Sequence, residues 1–213
     1  MPVISLLHAK GGVGKTTSTV WLAAAAHYSG LTNSRIHIID ADINQGTLSS
    51  WHEVAEDAHA DNPSLPFVDV TLHTGNYNQI LRAFKKIPDE DIVIVDGPPG
   101  DHSMIQEVAN HSDLILIPTK GTVTELEQVI TTAQRAVPAG TKYRVIFTMW
   151  NASSKTVDDC KEILNEAGIP YLWPAIPQRT ALGNATGTWP ANKRAQLYGY
   201  DFLFNQAWEL IND

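Results

Sequence analysis

Short apolar runs recur along the chain, each followed by a longer stretch that reads as helix. Five runs read as strands: Val3–Leu7, Ile36–Ile39, Ile92–Val95, Leu114–Ile117 and Tyr143–Met149. Shorter ones stand at Phe67–Leu72 and near Tyr171–Trp173. None alternates strictly between apolar and polar residues, which is the pattern of strands covered on both faces. The stretches between them predict helices over Lys15–Ser29, Leu48–Ala60, Tyr77–Lys86, Ser103–Asn110, Val123–Ala136 and Thr156–Ala167. Ala195–Ile211 reads as a last helix docking on the sheet. Strand-helix alternation predicts an α/β fold with a doubly wound, mainly parallel sheet flanked by helices. No internal repeat, low-complexity tract or linker interrupts it. A single domain over residues 1–213 is expected, with no DNA-binding extension before the first strand.

Composition narrows the class. With 43% hydrophobic and 18% charged residues the chain is globular rather than disordered, and 213 residues suffice for one core. No apolar run approaches the ~20 residues that span a bilayer. A glycine-rich loop beginning at residue 10 leaves no place for a cleavable leader ahead of the first strand, so a cytoplasmic location is expected. The single cysteine, Cys160, excludes an internal disulfide and leaves no zinc or iron–sulfur cluster unless subunits share one. Net charge is −8, which argues against nucleic acid, but its distribution is uneven. Residues 1–119 hold 6 Lys/Arg against 14 Asp/Glu, whereas residues 120–194 hold 9 against 6, so a modest basic face in the second half is compatible with the composition.

The chemistry is concentrated directly after the first strand, at Lys10-Gly11-Gly12-Val13-Gly14-Lys15-Thr16-Thr17. This is a compressed relative of the G-x-x-x-x-G-K-[ST] phosphate loop. Glycines let backbone N–H groups turn inward around phosphate oxygens. Lys15 supplies a point charge for the β and γ phosphates, and the Thr16 hydroxyl can ligate Mg²⁺. The helix that follows adds its positive N-terminal end. A ligand-free strand-to-helix turn would have no use for three glycines and two lysines. A lysine and two threonines closing the loop also disfavour a dinucleotide-type G-x-G-x-x-G.

Two later strands end in acids. Ile36-His-Ile-Ile-Asp40-Ala-Asp42 carries carboxylates at i and i+2, which point the same way from an extended chain. In a parallel sheet the strand C-termini face the ligand crevice, which brings both near the phosphates. The competing assignment, that one of them caps the next helix, stays open. Ile92-Val-Ile-Val-Asp96 is four apolar residues and an acid, the Walker B form, whose carboxylate holds Mg²⁺. Gly97-Pro98-Pro99-Gly100 follows, extended at the prolines and free to rearrange at the glycines, as a γ-phosphate sensor requires.

The front lysine, together with these motifs, resembles the deviant Walker A branch of the P-loop NTPases, the ParA/MinD superfamily, with its K-G-G-x-G-K-[ST] signature. The resemblance spans most of the chain, and its specific motifs lie in residues 8–51 and 92–119. It implies that Lys10 reaches across a dimer interface to the partner subunit's nucleotide, so that the ATP-bound state is a homodimer. It implies that Asp42, the second acid of the family's D-x-D-P-Q-G, orients the attacking water, while Asp40 supports the metal region. Where relatives carry Pro-Gln-Gly this chain has Ile43-Asn44-Gln45-Gly46. Trp51 matches an aromatic common in relatives, with packing as its expected role. Asp113-Leu-Ile-Leu-Ile-Pro118 resembles the family's next strand. Asn151 matches an asparagine that contacts adenine, and Pro177, within Ile176-Pro-Gln-Arg179, matches a loop that packs on the base. A turn or cap role is an equal reading for both.

What the resemblance implies is slow, Mg²⁺-dependent ATP hydrolysis, with ATP and Mg²⁺ as cofactors. Two kinds of work compete. One is a ParA-type partition ATPase whose ATP dimer binds DNA non-specifically and whose hydrolysis is stimulated by a centromere-binding adaptor of the ParB or ParG kind. Lys155, Lys193 and Arg194, with Arg179, are the candidate DNA contacts, against the alternative of solvated surface charge. The other is a MinD-like membrane-positioning ATPase. That subgroup ends in a basic amphipathic helix, whereas Tyr200–Asp213 contains no Lys or Arg, so membrane attachment is not expected. Metabolic enzymes built on the same loop form a third class, but usually carry a longer substrate region. Nitrogenase iron-protein relatives need cysteines absent here.

Overall fold

The computed structural model describes residues 1–213 except 32, 43–45, 101, 136, 139, 152–155, 184 and 186, and, within helices, the side chains of 102, 135, 156 and 157. The elements run β1 (Val3–Leu6), α1 (Lys15–Ser29), β2 (Ile36–Asp40), α2 (Thr47–Asp61), β3 (Val70–His73), α3 (Tyr77–Phe84), β4 (Ile92–Asp96) and α4 (His102–Asn110). They continue with β5 (Leu114–Thr119), α5 (Val123–Arg135), β6 (Lys142–Phe147), α6 (Thr156–Glu166), β7 (Tyr171–Leu172), α7 (Thr180–Gly183), α8 (Arg194–Leu197) and α9 (Tyr200–Asn212). The strands form one seven-stranded sheet in the order β3-β2-β4-β1-β5-β6-β7, every neighbouring pair parallel. The expected doubly wound architecture is present.

β1, β2, β4 and β5 are buried at every position, which explains why their sequences do not alternate. One face packs Ile4, Leu6, Ile38 and Ile94 under α1, α2 and α9; the other packs Val3, Ile39, Val93 and Ile115 under α3, α4 and α5. α1 is buried almost throughout because it lies between the sheet and α9. Its run Ala23–Ala26 lets neighbours approach closely, and Ser18 shares a 2.8 Å hydrogen bond with the Tyr200 hydroxyl of α9. α3 starts on a capping box in which Asn76 and Gln79 satisfy each other's backbone N–H groups.

The predicted last helix is two helices. Tyr198 and Gly199 both adopt positive φ, 51° and 99°, and no helix continues through two left-handed residues. The break turns α9 back onto α1. α7 was not expected, and the strand expected at Phe67–Leu72 lies later, at Val70–His73, where its backbone meets β2 in register Ile36↔Val70 to Ile39↔His73.

β1 stands between β4 and β5, so the chain winds away from it in both directions, and the ligand crevice of such a sheet opens at the C-terminal ends of these strands. The register places Asp40 beside Asp96 and Asp96 beside Leu6. Just beyond, Gly97 N–H donates to the Leu6 carbonyl at 3.1 Å, and a Cβ at residue 97 would stand 2.4 Å from that oxygen. Gly97→Ala is therefore expected to lower stability by about 1–3 kcal/mol through enforced backbone displacement, read as a fall in the thermal midpoint of the ligand-free protein.

Candidate nucleotide site

The phosphate loop joins β1 to α1 in the geometry its glycines predict. Gly12 and Gly14 are left-handed, at φ 71° and 86°, a conformation that strains any side chain, and the space where a Cβ of Gly11 or Gly12 would project is open. Gly14 caps α1 without a side-chain acceptor, so the helix's first N–H groups face the loop. The Thr148 hydroxyl, at the end of β6, donates to the Val13 carbonyl at 2.8 Å and ties the loop to the far half of the sheet.

Lys15 is buried, and its Nζ donates to the carbonyls of His8 and Lys10, each at 3.3 Å. Burial lowers its pKa, while Asp96 and Asp42 pull the other way. The ammonium rests on two long contacts to carbonyl oxygens, beside a helix start that no side chain caps, and both features suit an anion. Beside it the Thr16 hydroxyl donates to Asp96 Oδ2 at 2.6 Å, and Asp96 Oδ1 is buried with no partner among the described residues. Burial pushes the Asp96 carboxyl up to about 7, with Asp40 and Asp42 adding repulsion against the help of Thr16 and Lys15.

Asp40 lies next to it with its pKa raised to about 6 by burial; its carboxylate accepts from the Asp42 N–H at 3.1 Å and from Ser49 in the first turn of α2. Asp40 thus binds the neighbouring loop and helix. Three acids around one unpartnered carboxylate oxygen and one hydroxyl fit a dication. Among the described residues no three His, Cys, Asp or Glu side chains form a self-sufficient metal cage. The site therefore suits Mg²⁺, which Thr16 and Asp96 would hold together with phosphate and water.

A cleft of about 410 Å³ opens from the loop toward β6 and β7, lined by Gly14, Thr17, Met149, Pro177, Arg179 and Leu182 among others. Met149 holds a left-handed φ of 53°, unusual for its type, and reaches toward Gly14. Pro177 is bridged to Trp150 and forms part of the wall. Asn151 is exposed on the adjoining loop and does not line the cleft. The size, partly apolar lining and contact with the phosphate loop suit a nucleoside.

Lys10 stands outside this cradle, 45% exposed, with its Nζ 2.9 Å from Glu125 Oε1 on α5. Glu125 is itself buried. Burial alone would raise its pKa, but the bonds from Lys10 and the Lys120 N–H outweigh it and hold the carboxyl below its usual range. Sequence reading missed Glu125 and Thr148: each meets its loop partner across more than a hundred residues, and no local spacing signals such a pair. It also missed His8, buried and held neutral with its pKa lowered to about 4 by burial and by Lys15. Its Nδ1 accepts the Lys10 N–H at 2.9 Å, which fixes the chain as it enters the loop.

Of the candidate DNA contacts, Lys193 and Arg194 are exposed and Arg179 is on the cleft wall; Lys155 lies outside the described residues, as does the departure at Ile43-Asn44-Gln45. Arg194 stacks over the Phe202 ring at 4.3 Å and lies beside Tyr28 and Ser29, at the end of α1 remote from the phosphate loop.

The folded protein holds the Asp96 proton more tightly than the unfolded chain, in which an aspartate titrates near 3.8. Stability without ligand is therefore lost as pH rises from about 4 to about 7. Asp96→Asn is expected to raise the ligand-free thermal midpoint by several degrees at pH 8, with the gain vanishing near pH 4. The same variant should weaken Mg²⁺-dependent nucleotide binding by ~10–100-fold, measured by titration with and without Mg²⁺.

Residues 4–188 match the family model described as the CobQ/CobB/MinD/ParA nucleotide binding domain. The chain is 33% identical over 204 residues to maintenance of carboxysome distribution protein A of Gloeobacter kilaueensis, which covers 94% of this chain and 83% of that protein. It is 25% identical over 190 residues to protein ParA of Rhizobium radiobacter, over 85% of this chain and 80% of the relative. Its fold matches that of the septum site-determining protein MinD of Pyrococcus horikoshii OT3 in complex with Mg-ADP, with a TM-score of 0.71 at 15% identity over 99% of this chain and 98% of that one. With a phosphate loop fronted by Lys10 and a Thr16–Asp96 pair suited to Mg²⁺, the chain belongs to the ParA/MinD superfamily of nucleotide-binding ATPases, whose ligands are ATP and Mg²⁺.

Proposed function

We propose that this protein is a ParA-type positioning ATPase: it dimerises on ATP, the dimer binds DNA non-specifically, and hydrolysis, stimulated by an adaptor bound to the cargo, releases it. The observation that carries the reading is the place of Lys10. Its own subunit's cradle already contains Lys15, and Lys10 sits at the loop's outer edge with a half-exposed side chain whose ammonium is held by one carboxylate. A second cation so placed is suited to the nucleotide of a facing subunit. In the working site Lys15 and the loop N–H groups hold the phosphates, Thr16 and Asp96 hold the metal, and Asp42 accepts a hydrogen bond from the attacking water. Mg²⁺, when bound, spreads the charge that develops on the transferring group. Asn151 and Pro177 are proposed to flank the base.

The relative named for carboxysome distribution supports a positioning role and extends the possible cargo from a plasmid or chromosome to a protein body. The adaptor is then the partner that recognises the cargo, a ParB- or ParG-like protein where the cargo is DNA. On this reading the protein works in the cytoplasm and associates with the nucleoid when ATP-bound. Lys193 and Arg194 are the proposed DNA contacts, with Lys155. A membrane role is disfavoured by α9, which buries Tyr200, Leu203, Phe204 and Ala207 against the domain and bears no Lys or Arg. Among the described residues no helix is long and apolar enough to cross a membrane.

DNA binding should require ATP, fail with ADP or without nucleotide, and weaken steeply as salt is raised, measured by anisotropy on duplexes of unrelated sequence. ATP-dependent binding to anionic liposomes with none to DNA would replace this reading with the membrane one. Lys10→Ala should remain monomeric in sedimentation with a non-hydrolysable ATP analogue while each subunit still binds the nucleotide, because Lys15, Thr16 and Asp96 are untouched.

A further inference from the structure

The segment that leaves the base cleft does not return directly to α9. On the way, Ala185, Gly187 and Trp189 contact α2. Leu182 and Gly183, in the cleft wall, lead into Ala185, whose carbonyl accepts a 2.7 Å hydrogen bond from the Trp51 indole of α2. Trp189 follows, fully buried and edge-on to Trp51 at 4.8 Å between centroids. Between them, Gly187 presses so closely on α2 that an added Cβ would overlap Val54. The chain then passes α1, where the Tyr28 hydroxyl donates to the Pro190 carbonyl at 3.1 Å. α2 is the element that follows the Asp42–Gly46 loop, and its first turn gives Ser49 to Asp40. Ser49 and Gly46 line one recess with Asp40 and Asp42.

The geometry points to Trp51 as a positioning residue that couples occupation of the base cleft to the acid-bearing side of the site. The inference rests on the reading of that cleft as the base pocket of an ATPase. A base seated against Leu182 and Gly183 fixes the segment; the segment, through Ala185 and Trp189, fixes Trp51; and Trp51 sets the pitch of α2, whose first turn holds Asp40 and carries the loop from Asp42. Packing alone needs only an aromatic of similar size at residue 51. Coupling needs the indole N–H on the Ala185 carbonyl, because a directional bond resists sliding of one segment along the other whereas apolar contact does not.

Trp51→Phe keeps a ring and removes that N–H. Hydrogen exchange is read over residues 176–183 and over α2, with and without ADP, beside steady-state ATP turnover and a thermal melt. In the wild type ADP is expected to slow exchange in both segments. In Trp51→Phe it should still slow 176–183 but no longer α2, with kcat lowered about fivefold, the equivalent of one net hydrogen bond, and KM unchanged. Gly187→Ala, which wedges a methyl against Val54 from the other side of the contact, should give the same split. Protection of α2 equal to wild type in both variants overturns the coupling, as does an unprotected α2 in the wild type. A general loosening of both segments with a lowered melt leaves Trp51 a packing residue only. Absence of ADP protection at 176–183 in the wild type overturns the base-cleft reading itself.

Discussion

One carboxylate at the end of β4 organises the site. Asp96 is buried, one oxygen bonded to the Thr16 hydroxyl and the other without a partner among the described residues, with Asp40 beside it across the sheet and Lys15 in the loop above. Such a group is expensive in a ligand-free protein, and its raised pKa expresses that cost. Its surroundings are arranged for a cation that arrives with phosphate. The loop glycines leave space, Lys15 waits on carbonyl acceptors, and the start of α1 offers N–H groups. The ligand-free fold thus holds an electrostatic tension that a Mg²⁺-nucleotide relieves.

That tension is confined by the sheet. β1 is flanked on both sides by parallel partners, so the loop, the acids of β2 and β4 and the turn after β5 all emerge at one edge. Thr148 bonds the loop to β6, and His8 bonds its entry, so the phosphate cradle is held from both flanks. Lys10 belongs to a different layer. It leans out to Glu125 at the outer edge of the site, and the energetic consequence is clear: Glu125 is buried, so removing the ammonium strips a buried carboxylate of its only side-chain counter-ion among the described contacts.

Much of this was legible in the residues. Strands covered on both faces write themselves as largely apolar runs, so β1, β2, β4 and β5 could be located to within a residue or two, as could β6, whose second half is buried in the same way. The loop could be read because phosphate demands glycines, a lysine and a hydroxyl at fixed local spacing, and the acids because they close apolar runs. The errors fall where distant segments decide. Tyr198 and Gly199 sit in a stretch of good helical pattern, and only the packing of α9 on α1 requires the chain to break there. β3 is shifted because an edge strand is defined by pairing with β2 rather than by its own weaker pattern.

The residues alone carried the fold class, the phosphate loop, the acid that closes β4 and the second lysine ahead of the loop, since each depends on contacts between near neighbours or on burial that composition records. Tertiary structure alone decided what those residues face. It placed Lys10 on Glu125, tied Asp40 to α2, set Arg179 in the cleft wall and brought Trp51 onto the segment that leaves it. Apart from Asp40 and its near neighbour Ser49, those pairings join residues more than a hundred positions apart. A chain carries no periodicity at such distances, so the partners become known only when the sheet order has brought them together.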